Sequence, residues 1–205
     1  MRLLELFSGT HSVGKVAKEM GWEVTSLDLR NADINCDIMN WDYSHIPAGY
    51  YDAIWSSPPC EKFSHLRRSW IGRKLKAFGD VPVTGEMLNE DMVTNGLPIL
   101  RKTENIINTL KPKYWFIENP KNGRMKEFIS DRPYVDVDYC QYGFDYRKST
   151  RIWTNVPYIG KTCKCQTPHK ASLGHSTSIN LKTKYRIPAP LVRELLSNIT
   201  PPSTN

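Results

Sequence analysis

The chain has 205 residues, 40% of them hydrophobic and 24% charged, which is enough apolar material for one domain whose core needs no disulfide framework. A mean hydropathy of −0.50 and the lack of any apolar run near ~18 residues exclude a membrane-spanning helix; the apolar start at residues 3–7 is too short for a secretory leader, so an aqueous intracellular setting is expected. A net charge of +7 and a pI near 9.1 suit a polyanionic partner without requiring one, and five cysteines (36, 60, 140, 163 and 165), an odd and scattered set, read as reduced thiols.

Residues 3–7 form an apolar run that ends in Ser8-Gly9. Val13, Val16, Ala17 and Met20 follow at helical spacing, and residues 23–28 return to a strand. A further strand at 52–56 stops before Pro58-Pro59. Ile99, Leu100, Thr103, Ile106, Ile107 and Leu110 then line one helical face before Lys111-Pro112, and residues 114–118 read as another buried strand. Strands alternating with amphipathic helices predict an α/β domain with a mostly parallel sheet, right-handed crossovers and helices on both faces. Ligands of such sheets lie beyond the carboxyl ends of the strands. The ends found here, Ser8-Gly9, Asp28, Pro59-Cys60 and Glu118-Asn119, should therefore share one rim. Downstream, Val135, Val137 and Tyr139 alternate and residues 151–154 follow a basic turn, as in a hairpin. Residues 155–184 are polar, basic and aperiodic, a surface excursion with no core of its own. Leu191, Val192, Leu195, Leu196 and Ile199 share one face of a last helix that Pro201-Pro202 ends, so residues 1–205 are read as a single domain.

Gly9-Thr10-His11-Ser12-Val13-Gly14-Lys15 joins a strand to a helix, where N–H groups and the helix dipole can receive a ligand. A phosphate-binding loop would need Ser or Thr where Val16 stands, and a dinucleotide fingerprint would need glycine where His11 stands. A nucleoside cofactor without phosphates, its ribose hydroxyls accepted by Asp28, competes with a plain glycine turn and capping aspartate. Cys60 follows a rigid Pro-Pro at a strand end, with Lys62, Arg67 and Arg68 beyond it, surroundings that favour thiolate and suit a nucleophile over a structural cysteine. Glu118 ends a strand whose apolar neighbours Trp115, Phe116 and Ile117 should desolvate it and raise its pKa, making it a candidate acid; a strand-end cap is the alternative.

Taken together, Leu6-Phe7-Ser8-Gly9, Pro59-Cys60 with Phe63-Ser64, Glu118-Asn119, Tyr142-Gly143 with Arg147 and Arg151-Ile152-Trp153, and Pro190-Leu191-Val192 resemble, in order and over nearly the whole chain, the motifs of C5-cytosine DNA methyltransferases. The form is similar to compact phage- or virus-encoded members in which residues 155–184 are all that remains of the target-recognition region. The resemblance implies a Rossmann-like, S-adenosylmethionine-dependent methyltransferase fold. It implies Cys60 as nucleophile, Glu118 as acid at the cytosine N3 edge and Arg151 as the cation that holds the cytosine carbonyl and orients Glu118. Phe7, Ser8, Gly9, Thr10, His11, Ser12, Asp28, Leu29, Asp37, Ile38 and Pro59 would form the cofactor site. Lys62, Ser64, Arg67, Arg68, Arg73, Lys74 and Arg147 would touch DNA around a base flipped from the duplex.

RNA cytosine methylation and a non-catalytic DNA-binding homologue are the rival readings. A monomer is expected in the cytoplasm of a bacterium or a virus-infected cell, or in the nucleus of a eukaryotic host, with a cognate restriction nuclease as an optional partner and no membrane. The chemistry needs no metal. Separately, Cys163-Lys164-Cys165 with His169 and His175 offers ligand types that suit zinc, against free thiols on a polar loop.

Overall fold

The computed structural model describes residues 1–166, 169 and 181–199, except the side chains of 181 and 182. His175 and most of the second half of the 155–184 excursion lie outside the described residues. The elements are β1 Arg2–Leu6, α1 Ser12–Glu19, β2 Glu23–Asp28, β3 Ile34–Asn35, β4 Ala53–Ser56, α2 Gly85–Asp91, α3 Leu97–Leu110, β5 Tyr114–Pro120, β6 Tyr134–Asp138, β7 Ser149–Thr154, α4 Leu181–Tyr185 and α5 Ala189–Ser197. Seven strands form one sheet in the order β3-β2-β1-β4-β5-β7-β6. β1 pairs in parallel with β2 and β4, β2 with β3, and β4 with β5; β7 alone runs against its neighbours β5 and β6. This is the mostly parallel, Rossmann-like sheet that the sequence leads one to expect, and the expected hairpin is the β6–β7 pair.

Both faces of the sheet are covered, so its central strands bury apolar side chains on both sides, with Glu5 of β1 as a buried exception. On one face Leu3, Ala53, Trp55, Phe116 and Ile152 pack under α1 and α5 through Val13, Val16, Ala17, Leu191, Val192 and Leu195. On the other, Leu4, Leu6, Ile54 and Ile117 pack under α3 through Leu100, Ile106, Ile107 and Leu110. Pro98 lies where the π-turn Met92–Gly96 passes into α3, and left-handed Lys111 ends that helix. α1, α3, α5 and the main strands thus sit close to where periodicity puts them.

Two regions show order that periodicity does not announce. Residues 61–78 form three 3₁₀ turns, Glu61–Phe63, His65–Trp70 and Lys76–Phe78. They rest on α2 and on a π-turn, Met92–Gly96, that runs into α3. A Cβ on Gly96 would come within 2.8 Å of Lys62 Cβ, so glycine is what lets the segment after Cys60 lie against the helix. The excursion is also anchored at its start: Val156 is buried, the backbone N–H of Asp138 donates to the Lys161 carbonyl, and Gly160 has no room for a side chain beside β6. Among the described residues no helix is long and apolar enough to cross a membrane.

Candidate active site

The chain leaves β1 through a turn in which Phe7, Gly9 and His11 take φ of 58°, 43° and 55°. For the two with side chains this conformation costs roughly 1–2 kcal/mol each, strain of a kind that gathers at ligand clamps. Buried Glu5 braces the turn from behind, its Oε1 accepting from the Val13 N–H at 3.2 Å. A Cβ on Gly14 would fall 2.5 Å from Glu5 Oε2, so this glycine serves close packing of α1 on β1 and not a phosphate. Burial pushes the Glu5 carboxyl up to about 7. From the next strand, Asp28 Oδ2 accepts from the Gly9 N–H at 2.9 Å and its Oδ1 from the Leu29 N–H at 2.7 Å, which leaves a carboxylate two further lone-pair sites for hydroxyl donors.

Phe7, Ser8, Gly9, Thr10, Ser12, Asp28 and Pro59 line one cavity of about 310 Å³, a size suited to a nucleoside-like ligand. The buried Ser8 hydroxyl has no partner among the described residues, as expected of a group that meets a ligand. By donor set, aromatic face and unspent hydrogen-bonding capacity, these residues fit the nucleoside cofactor that the sequence implies. Four expected members do not line this cavity. The His11 ring bonds the Asn31 carbonyl at 2.6 Å and Leu29 is 67% exposed, while exposed Asp37 accepts from the Met39 N–H and Ile38 is buried in the core under α3.

Cys60, Glu118, Asn119, Pro120 and Lys148 line the same cavity from its other side. A second, more apolar cavity of about 620 Å³ opens beyond them, and the two share Cys60, Asn119, Pro120, Lys148 and Tyr185. Glu118 is buried, with the Tyr139 hydroxyl donating to Oε1 at 3.0 Å and Lys148 Nζ 3.7 Å from the same oxygen. Asn119 Nδ2 donates to the Pro58 carbonyl at 2.8 Å and ties the two strand ends together; its buried Oδ1 has no partner among the described residues.

Arg151 is not at this site. β5 and β7 are in register as Glu118↔Ile152 and Asn119↔Arg151, and successive side chains of a strand face opposite ways. Arg151 therefore leaves the sheet on the face away from Glu118, where it pairs with Asp136 at 2.8 Å and lies over the Tyr134 ring at 3.6 Å. Lys148 has the parity of Ile152, and because β7 runs antiparallel it stands at the start of that strand, on the rim. The signal in the sequence was this even spacing from a core residue, Ile152, in a strand of reversed direction.

The expected electropositive setting of Cys60 is likewise corrected. Lys62 donates to Asp91 at 3.0 Å, and Arg67, only 4% exposed, is held by Asp91, the Lys62 carbonyl and the Trp70 ring. Their charge is spent on bracing the 3₁₀ segment. Burial, reinforced by Glu118 and opposed by Lys148, pushes the Cys60 thiol above its ordinary value. Arg68, Arg73 and Lys74 remain exposed on this segment; Ser64 accepts from the Leu66 N–H, and Arg147, paired with Asp138 at 3.2 Å, lines the larger cavity with Ser64.

No family model matches the chain. It is 39% identical to a probable DNA (cytosine-5)-methyltransferase of Frog virus 3 (isolate Goorha), a likeness that covers 96% of this chain and 99% of the viral protein. Among solved structures, a DNMT2 variant of Spodoptera frugiperda aligns over 78% of this chain and 54% of that one, with a TM-score of 0.49 and 16% identity. The Dnmt2 methyltransferase of S. pombe aligns over 75% and 48%, with a TM-score of 0.44 and 14% identity. The chain spans about half the length of these two structures.

Proposed function

Because this chain belongs to the DNA (cytosine-5)-methyltransferase family, we propose that it moves a methyl group from S-adenosylmethionine to C5 of cytosine in DNA through a covalent adduct at Cys60. The observation that carries this reading is the pair of cavities with a common wall: one suited to the cofactor, one to a nucleobase, and Cys60 and Lys148 on the wall between them. A cytosine inside a duplex cannot enter, so the base must be flipped out or offered single-stranded, at a cost of about a few kcal/mol.

In the smaller cavity Phe7 would stack on the adenine, Asp28 would accept the ribose hydroxyls, and Ser8, Gly9, Thr10 and Ser12 would meet the methionine portion. When bound there, S-adenosylmethionine supplies an electrophilic methyl group. Cys60 would pass its proton to water as its sulfur bonds C6 of the base, while Glu118, protonated and steered by the Tyr139 hydroxyl, would deliver a proton at N3. The C5 carbon would then have enamine character and be open to methylation; loss of the C5 proton to water would re-form the double bond, expel the Cys60 sulfur as thiolate and let N3 return its proton to Glu118. Lys148 takes the part the resemblance gives to an arginine. Its ammonium sits beside Glu118, opposes the burial that keeps Cys60 protonated, and has donors to spare for the cytosine carbonyl. Arg68, Arg73, Lys74, Ser64 and Arg147 are the proposed contacts to the phosphates, and residues 155–184 a reduced recognition region.

DNA carrying 5-fluorocytosine tests the reading, since fluorine at C5 cannot leave as a proton does. The expected result is a denaturant-stable protein–DNA adduct that needs S-adenosylmethionine and disappears in Cys60→Ser. Labelled methyl transfer to DNA and to RNA runs beside it, and transfer to RNA alone would replace the DNA assignment.

A further inference from the structure

Away from the two cavities, the described residues hold one group of side chains whose chemistry is that of a metal site. Cys140 Sγ, Cys163 Sγ, Cys165 Sγ and a His169 ring nitrogen all lie within 4.8 Å of one another. Cys140 sits in the 3₁₀ turn Tyr139–Tyr142 after β6, and the other three come from the excursion, so residues far apart in sequence converge on one point. Sulfurs and a nitrogen at 2.3 and 2.0–2.1 Å from a tetrahedral zinc stand roughly 3.5–3.8 Å apart, so a shift well under ~1.5 Å per pair brings the group to that geometry. The contact between Cys163 Sγ and His169 Nε2 is already at 3.2 Å.

A donor group faces two of the sulfurs. Gln141 Nε2 points at the Cys165 sulfur at 3.4 Å and at that of Cys140 at 3.9 Å, the kind of donor that supports ligands from outside the first sphere. The Cys163 backbone N–H donates to Asp138 Oδ2 at 2.7 Å, which fixes this ligand to the end of β6.

We propose that Cys140, Cys163, Cys165 and His169 bind one zinc ion and thereby fasten the excursion to the catalytic sheet. Three thiolates and an imidazole fill a tetrahedral sphere and leave no open position, so the ion is structural and not a participant in methyl transfer. Its place explains its use. Cys140 directly follows Tyr139, the residue whose hydroxyl is bonded to Glu118, so an ion here fixes the turn that aims Tyr139 and ties the excursion to it through Cys163, Cys165 and His169. The site does not depend on the identity of the methyl acceptor. C-x-C spacing, tighter than the usual C-x₂-C, is workable because the remaining ligands come from elsewhere in the fold.

The test is elemental analysis of the full chain purified without chelators and under reducing conditions. One zinc per chain is expected. Titration with a mercurial thiol reagent should release it in step with modification of three thiols, read by a chromogenic chelator. This second measurement needs no variant and therefore no assumption about folding. Exchange of zinc for cobalt should give thiolate-to-cobalt charge-transfer bands and the intense visible bands of a tetrahedral ion. Cys140→Ser and His169→Ala should each reduce zinc content to near zero or give insoluble protein, while Cys36→Ser keeps it in full. The proposal is overturned if reduced wild-type protein carries no zinc and takes up no cobalt. It is equally overturned if Cys140→Ser, folded, keeps a full equivalent, or if the cysteines are recovered as a disulfide from protein handled under reducing conditions.

Discussion

The two sides of the rim are built by opposite means. On the β1–β2 side the work falls to backbone: a turn with three left-handed residues, N–H groups received by Glu5 and Asp28, and a glycine that lets α1 close on β1. On the β5–β7 side it falls to side chains: Cys60, Glu118, Tyr139 and Lys148, each delivered by a different segment. A backbone-made site is written in short, contiguous motifs. A side-chain-made site depends on register and strand direction, which no local motif records. The second side should accordingly be the more fragile to single substitutions, and in a way that follows parity.

The sharpest contrast sets Lys148 against Arg151. Lys148→Gln is expected to lower turnover by about 10²-fold or more, the scale of losing a group that acts in the proton-transfer step, with cofactor affinity retained. Arg151→Ala should leave single-turnover methyl transfer close to wild type and instead reduce stability by about 2 kcal/mol, because what it loses is a charge-assisted bond to Asp136. If the arginine variant is the one that stops turnover, with its stability intact, the parity argument is wrong.

On the backbone side the largest effect should appear as a pH dependence. Glu5 has its pKa raised from 4.5 to about 7, so the folded protein holds the proton more tightly than the unfolded chain. Its favourable contribution is full below about pH 4.5 and is lost as pH rises toward 7, by up to ~1.4 kcal/mol for each pH unit. Glu5→Gln removes the titration. Denaturation curves of the two proteins should nearly coincide in acid and separate in favour of the glutamine variant up to about pH 7. Parallel curves across that range would mean that the carboxyl is not desolvated as its position behind the turn demands. A smaller effect is expected for Asp28→Ala, about 10-fold in cofactor affinity by calorimetry, with kcat at saturating cofactor little changed.

The legible parts of this protein were those in which neighbours in sequence are neighbours in space. The faces of α1, α3 and α5 and the strands β1, β2, β4 and β5 follow from spacing alone, as does the gathering of Asp28, Cys60 and Glu118 on one rim, whereas the two-residue β3, Ile34–Asn35, is too short to leave a pattern. Arg151 was misplaced because a motif gives residue order but not which face a strand shows, and one step along a strand reverses the face. Lys148 went unseen for the same reason. The cations after Cys60 looked free because their partner, Asp91, lies at the end of α2, a helix of only seven residues with few apolar positions to announce it. Cys140 could not be joined to Cys163 and Cys165 without knowing that the excursion returns along β6.

The same distinction between exposed and spent charge orders the smallest effects, those on DNA affinity. Arg68, Arg73 and Lys74 stand exposed on the 3₁₀ segment that follows Cys60, whereas Arg67 is buried against Asp91 and Trp70. Each phosphate contact releases about 0.9 of a counterion, so removing one exposed cation should lower the slope of log affinity against log salt by about 1, with a modest loss of affinity that is uniform across sequences. Arg67→Ala should leave that slope unchanged and be read in the melting temperature, because a half-buried carboxylate, Asp91, loses one of its partners. Fluorescence anisotropy with a labelled duplex over a range of salt separates the two behaviours. A reduced slope in Arg67→Ala, together with unchanged melting, would mean that this guanidinium leaves Asp91 for the phosphates when DNA arrives, and that the 3₁₀ segment rearranges as it closes.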